Sequence, residues 1–316
     1  ASGAPAENRR GPRGGTVTGM TSTAANGITI EYEVTGSGDP LLLIMGLGEQ
    51  MTTWPDEFIN KLVQVGFQVI RFDNRDVGLS SVSDGEPPSA VRAVASKIAR
   101  RTPKAAYRLV DMADDAAALL DAIGIDAAHV VGVSMGGMIA QTMAIAHPTR
   151  VLSLTSIMSN TGDGTHGVVS PSLLPKLARL TKTVTRESAV ERAVEVNSII
   201  SGPHFDPDER RALTARNVER SFRPDAVARQ TAAIMASPDR TAALADVDVP
   251  TLVVHGLLDR LVKPSGGIAT ARAVPGSRLI MFPDMAHDLP RPRWDELVDE
   301  IRRNADRAAT RSGSLT

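Results

Sequence analysis

The chain has 316 residues with 35 basic and 36 acidic side chains, a formal net charge of −1. So even a balance supplies neither a basic surface for nucleic acid nor a charged tail for a partner. Cysteine is absent, which excludes disulfides, thiol nucleophiles and cysteine-ligated metals.

Residues 1–26, rich in Gly, Ala, Pro and Arg, lack the apolar core of a signal peptide. A disordered extension is expected there, with Met20 a natural start. The expected location is cytoplasmic, with secretion left open. No apolar run reaches the ~18 residues of a membrane span, so no stable membrane insertion is expected.

Residues 27–40 alternate Ile28, Ile30, Tyr32 and Val34, the pattern of a half-buried strand. Residues 41–49, LLLIMGLGE, form a continuous apolar run ending in glycines, which suits a strand buried on both faces. Phe58, Leu62 and Val65 have helical spacing, and 68–73 reads as the next strand. In 110–125, Met112, Leu119, Leu120 and Ile123 form one helical face, with Gly124 near the end. Strand and helix follow again at 128–133 and 136–147, and further strands at 151–158, 251–256 and 277–283. A helix over 293–308 closes the pattern. This alternation predicts an α/β fold, a mostly parallel sheet flanked by helices. From 159 to 240 the strand signal stops and helical patterns follow one another. That segment is expected to be a helical cap over a core formed by 27–158 and 241–310.

Gly132-Val133-Ser134-Met135-Gly136 fits G-x-S-x-G between a strand and a helix. A sharp strand-to-helix turn strains the serine backbone, and small residues two before and two after relieve the crowding. Ser134 is therefore the candidate nucleophile. The Met135 N–H at the helix start is a candidate oxyanion donor.

A serine hydroxyl needs a base within reach and a third group to orient that base. The histidines are His129, His147, His166, His204, His255 and His287. His129 and His255 fall within strands, His147 ends a helix, and His166 and His204 lie in or beside the cap. His287 follows the last strand on a loop and is the candidate base. Asp259, just after a buried strand, is the candidate orienting acid, in the chain order Ser, Asp, His. Asp284 and Asp288 stand too near His287 to come from a separate strand end. Gly46-Leu47-Gly48 ends an earlier strand, and the Leu47 amide is the second candidate oxyanion donor.

With MGLGE, DNRDVGLS (73–80), GVSMGG, HGLLD and MAHD in place, residues 27–308 resemble the α/β-hydrolase superfamily. The closer pattern is similar to serine esterases of the aclacinomycin methyl esterase type and to mycobacterial lipase-like carboxylesterases. The resemblance implies an eight-stranded sheet. Three positions depart from the wider family: Met45 for the usual histidine, Asp76 for a glycine, and Val133 before the nucleophile. In DNRDVGLS, Asp73 and Arg75 are expected to brace a turn.

The expected reaction is transfer of an acyl group from an ester to water, without a metal or organic cofactor. The expected substrate is a small to medium hydrophobic ester, with Gly46, Met45, Met158 and Met285 as candidate pocket residues, methionine being an adaptable apolar wall. Two other readings stay open: a cofactor-free haloperoxidase or perhydrolase using the same residues, and a non-catalytic ligand-binding protein of this fold.

Overall fold

The computed structural model describes residues 19–84, 104–179 and 184–313. Within them eight strands form one sheet: β1 (Thr21–Ala25), β2 (Ile28–Thr35), β3 (Asp39–Ile44), β4 (Phe67–Phe72), β5 (Ala128–Val133), β6 (Val151–Ile157), β7 (Thr251–Gly256) and β8 (Arg278–Phe282). Their spatial order is β1-β2-β4-β3-β5-β6-β7-β8, with β1 and β2 antiparallel to their neighbours and the rest parallel.

The first strand corrects an expectation. The extension expected over residues 1–26 ends before Thr21, because Thr21–Ala25 pairs with β2. The pairing is closed by Asn26 and Gly27 at φ 48° and 74°. An Asn-Gly pair with both φ values positive is the preferred two-residue hairpin turn. Residues 1–18 of that expected extension lie outside the described residues, as do 180–183 of the expected cap.

The central strands are apolar because both faces are covered. Leu41 and Leu43 pack with Val69, Val131 and Val133 on one face, beside α1 (Asp56–Gln64) and α9 (Trp294–Gly313). Leu42 and Ile44 pack with Ile70, Phe72 and Val130 on the other, beside α2 (Leu109–Ala122) and α3 (Met135–Ala146). Period two along β3 thus divides the core into two clusters. Phe58 of α1 stacks on Trp54 at 5.9 Å and meets the Trp294 ring edge-on at 5.8 Å, which joins α1 to α9.

Between β6 and β7 run α4 (Leu174–Arg179), α5 (Arg186–Ile200), α6 (Pro207–Arg220) and α7 (Ala226–Ala236). Asp206 caps α6 by accepting from the Asp208 and Glu209 amides, and Pro207 follows at the first helical position. The segment is tied to the core: Arg220 donates to buried Asp73 at 2.7 Å, and Gln50 donates to the Asn217 and Ser221 carbonyls. Asp73 also accepts from the Met51 and Leu79 amides, and a Cβ on Gly78 would collide with its carboxylate. Arg75 grips Asp115 with two bonds of 2.6 Å. Last, α8 (Ser265–Ala273) lies between β7 and β8.

His129, buried in β5, bonds Ser153 at 2.8 Å and lies edge-on to Phe67. Burial, aided by the Arg302 charge, pushes its pKa from 6.5 down to about 4. The folded-state value is depressed, so between those limits the unfolded imidazole binds a proton that the folded one refuses. Stability present above pH 6.5 is therefore lost as pH falls toward 4, by about 3 kcal/mol. In denaturant titrations at pH 7 and pH 4, His129→Asn is expected to lose about 3 kcal/mol less than wild type between the two. Equal losses would contradict the assignment.

Candidate active site

The site lies at the carboxyl ends of β3, β5, β7 and β8, where ligands bind in open parallel sheets. Ser134 follows β5 at φ 55° and ψ −118°, a conformation that costs a non-glycine residue about 1–3 kcal/mol. Close packing holds it there. The Ser134 N–H donates to the Ile157 carbonyl at 2.9 Å, and the Gly137 and Met138 amides donate to the Ser134 carbonyl. The flanking glycines are obligatory: a Cβ on Gly132 would sit 2.1 Å from the Gly136 carbonyl oxygen, and one on Gly136 2.1 Å from that of Ile44.

The three polar side chains singled out in the sequence are hydrogen-bonded in series. His287 Nε2 lies 2.9 Å from Ser134 Oγ, and His287 Nδ1 lies 2.8 Å from Asp259 Oδ2. The Asp259 carboxylate is fully buried, and its Oδ1 accepts from the Leu261 and Val262 amides at 2.9 Å each. Burial pushes Asp259 up, but the His287 charge and the histidine hydrogen bonds outweigh it and hold the carboxyl at about 2. The group is therefore ionised at neutral pH. An ionised carboxylate accepts Nδ1–H, which leaves Nε2 free to accept the serine proton.

The turn after β3 approaches from across the sheet. A Cβ on Gly46 would lie 3.4 Å from Ser134 Cβ. Asn74 donates to the Met45 carbonyl at 3.0 Å. Within this turn the Gly48 amide is engaged by Gln230 Oε1 at 2.7 Å, and the Glu49 amide by the Gly46 carbonyl at 3.3 Å. The Leu47 amide has no acceptor among the described residues. Met135 is the first residue of α3, where a helix has no internal acceptor for its N–H.

The other histidines and carboxylates weighed in the sequence have partners of their own. Asp284 bonds Arg293 and His204, and these pull its carboxyl down to about 2. Asp288 accepts from the Gly202 and Ala286 amides, while burial raises its pKa. His147 pairs with Asp114 and His166 with Asp163. The Met45, Met158 and Met285 side chains are buried in the core cluster that holds Trp54 and Phe282. Sequence reasoning missed the residues that hold the site in place. His255 is fully buried with Nε2 at 2.7 Å from the Val262 carbonyl and 3.5 Å from Asp259. The His287 amide donates to the Ile200 carbonyl at the end of α5. A hydrogen-bonded Asp259–His287–Ser134 series on a strained strand-to-helix turn, set in this sheet, has the arrangement of serine hydrolases of the α/β class.

The chain belongs to the alpha/beta hydrolase fold family, whose sequence profile matches residues 39–290. It is 32% identical over 301 residues to the rhodomycin D methylesterase DnrP of Streptomyces peucetius, covering 87% of this chain and 94% of that one. It is 25% identical over 279 residues to a Mycobacterium tuberculosis protein named as a candidate non-heme bromoperoxidase, BpoC, covering 82% of this chain and 91% of that one. Among solved structures it resembles a thermophilic esterase from Thermogutta terrifontis, with a TM-score of 0.66 and 26% identity over 92% of this chain and 97% of that one. No helix of the described residues is long and apolar enough to cross a membrane.

Proposed function

We propose that the protein hydrolyses carboxylic esters through an acyl-enzyme on Ser134. The observation that carries this reading is the hydrogen-bonded series from Asp259 through His287 to Ser134 at the strained turn. His287 Nε2 takes the hydroxyl proton as Ser134 Oγ attacks the ester carbonyl carbon. The amides of Met135 and Leu47 hold the resulting oxyanion, and Asp259 holds the imidazolium that forms. His287 then gives its proton to the departing alkoxide, which leaves as the alcohol. Water, deprotonated by His287, attacks the acyl-enzyme, and collapse of the second oxyanion releases the acid and restores Ser134.

Helices α4 to α7, within residues 159–240, act in this reading as the cap over the core. The substrate is a hydrophobic ester of small to medium size. The likeness to a methylesterase favours a small alcohol leaving from a larger acid. Hydrolysis of p-nitrophenyl esters from acetate to palmitate tests the reading. A defined chain-length optimum is expected, and no turnover at any length, nor on methyl esters, would overturn it. The likeness to BpoC motivates a second reading, acyl transfer to peroxide in place of water. Peroxide-dependent bromination faster than ester hydrolysis would favour it.

A further inference from the structure

The turn that carries Leu47 is held from outside the core. Gln230, on α7, is completely buried. Its Oε1 accepts from the Gly48 amide at 2.7 Å, and its Nε2 donates to the Arg75 carbonyl at 3.0 Å. Flipping this side-chain amide would set donor against donor and acceptor against acceptor, so its orientation is fixed. Arg75 is itself locked on Asp115. The Gln230 amide is thus a rigid strut from a braced core turn to the amide that follows Leu47. A second contact lies three residues earlier on the same helix. Val227 Cγ2 sits 2.6 Å from where a Cβ on Gly48 would be, and Gly48 has φ 72°.

Gly48 N–H belongs to the peptide group that follows Leu47 in the chain. Its direction and that of the Leu47 N–H are set by the same short run of backbone dihedrals. An oxyanion hole depends steeply on amide placement: a shift of ~1 Å costs ~10²-fold, and loss of one donor ~10²–10³-fold. Resting on the reading of Leu47 as an oxyanion donor, we propose that Gln230 is a positioning residue for the oxyanion hole. Helix α7 thereby contributes to the rate of the chemical step as well as covering the core.

The test is Gln230→Met, which keeps the side chain's length and removes both hydrogen bonds. The expected result is a ~10- to 100-fold fall in kcat with KM within about twofold, the split of a group acting in the transition state. Affinity for an alkyl trifluoromethyl ketone, whose hemiketal oxygen occupies the oxyanion hole, is expected to fall by a similar factor. Labelling of Ser134 by a fluorophosphonate reports the fraction of intact sites and normalises kcat. Gln230→Glu keeps an oxygen for the Gly48 amide and, when protonated, a donor for the Arg75 carbonyl. Burial favours that form, so part of the loss is expected to be recovered as pH falls, each rate taken relative to wild type at the same pH. The proposal is overturned if normalised kcat of Gln230→Met stays within twofold of wild type, or if Gln230→Glu, relative to wild type at each pH, stays as impaired as Gln230→Met at every pH tested. If instead wild type fails to label at Ser134, the reading of the site itself has failed.

Discussion

Ser134→Ala is expected to reduce kcat for ester hydrolysis by on the order of 10⁶-fold. The size follows from the coupling of the site. Without Oγ, His287 has no hydroxyl to deprotonate and no acyl-enzyme can form. In the proposed reaction the Met135 and Leu47 amides and Asp259 then act on a step that has lost its nucleophile. The fold is expected to survive. Alanine retains the Cβ, so the strain at φ 55° is unchanged. Only the 2.9 Å bond to His287 is lost, worth about 1 kcal/mol. Kinetics and a thermal melt on the same preparation check both parts. A fall of less than about tenfold would place the nucleophile elsewhere.

Asp259→Asn tests the other end of the series and is expected to lower kcat by on the order of 10⁴-fold. The carboxylate, held ionised at about 2, can only accept, and so fixes the His287 proton on Nδ1. An asparagine can keep its Oδ1 on the Leu261 and Val262 amides, which already hold Asp259 at 2.9 Å. Its NH₂ group then faces His287 and donates to Nδ1. That places the imidazole proton on Nε2, where it blocks acceptance of the Ser134 proton. KM is expected to change little, because Asp259 lies behind the histidine. Rates on p-nitrophenyl butyrate, measured with active sites titrated, give the comparison. A wild-type kcat would show that the Asp259 charge is not needed for tautomer control.

The strand-to-helix turn was legible because its constraints are local. A Cβ on Gly132 or on Gly136 would lie 2.1 Å from a backbone carbonyl oxygen, so only glycine fits at those spacings from Ser134. The alternation of strand and helix, the continuous burial of β3 and the positions of Asp259 and His287 after β7 and β8 were legible for the same reason. The bracing groups beyond Asp73 and Arg75 were not. Gln230 reaches a partner 182 residues away in the chain, and nothing near it in sequence marks that contact. Asn74 and Asp288 likewise act on backbone groups that only the fold brings near. The strand Thr21–Ala25 was hidden by small residues in a Gly- and Ala-rich stretch, although Asn26-Gly27 was its turn signal. Methionines were ambiguous from the start. A buried thioether suits core and pocket equally, and Met45, Met158 and Met285 pack in the core cluster.

Reaction of the protein with a fluorophosphonate, followed by digestion and mass spectrometry of the peptides, tests the central claim most directly. The account predicts one adduct per chain, on Ser134, formed in parallel with loss of esterase activity and absent from Ser134→Ala. An adduct on another residue that accompanies inactivation, or full inactivation with Ser134 unmodified, would contradict it.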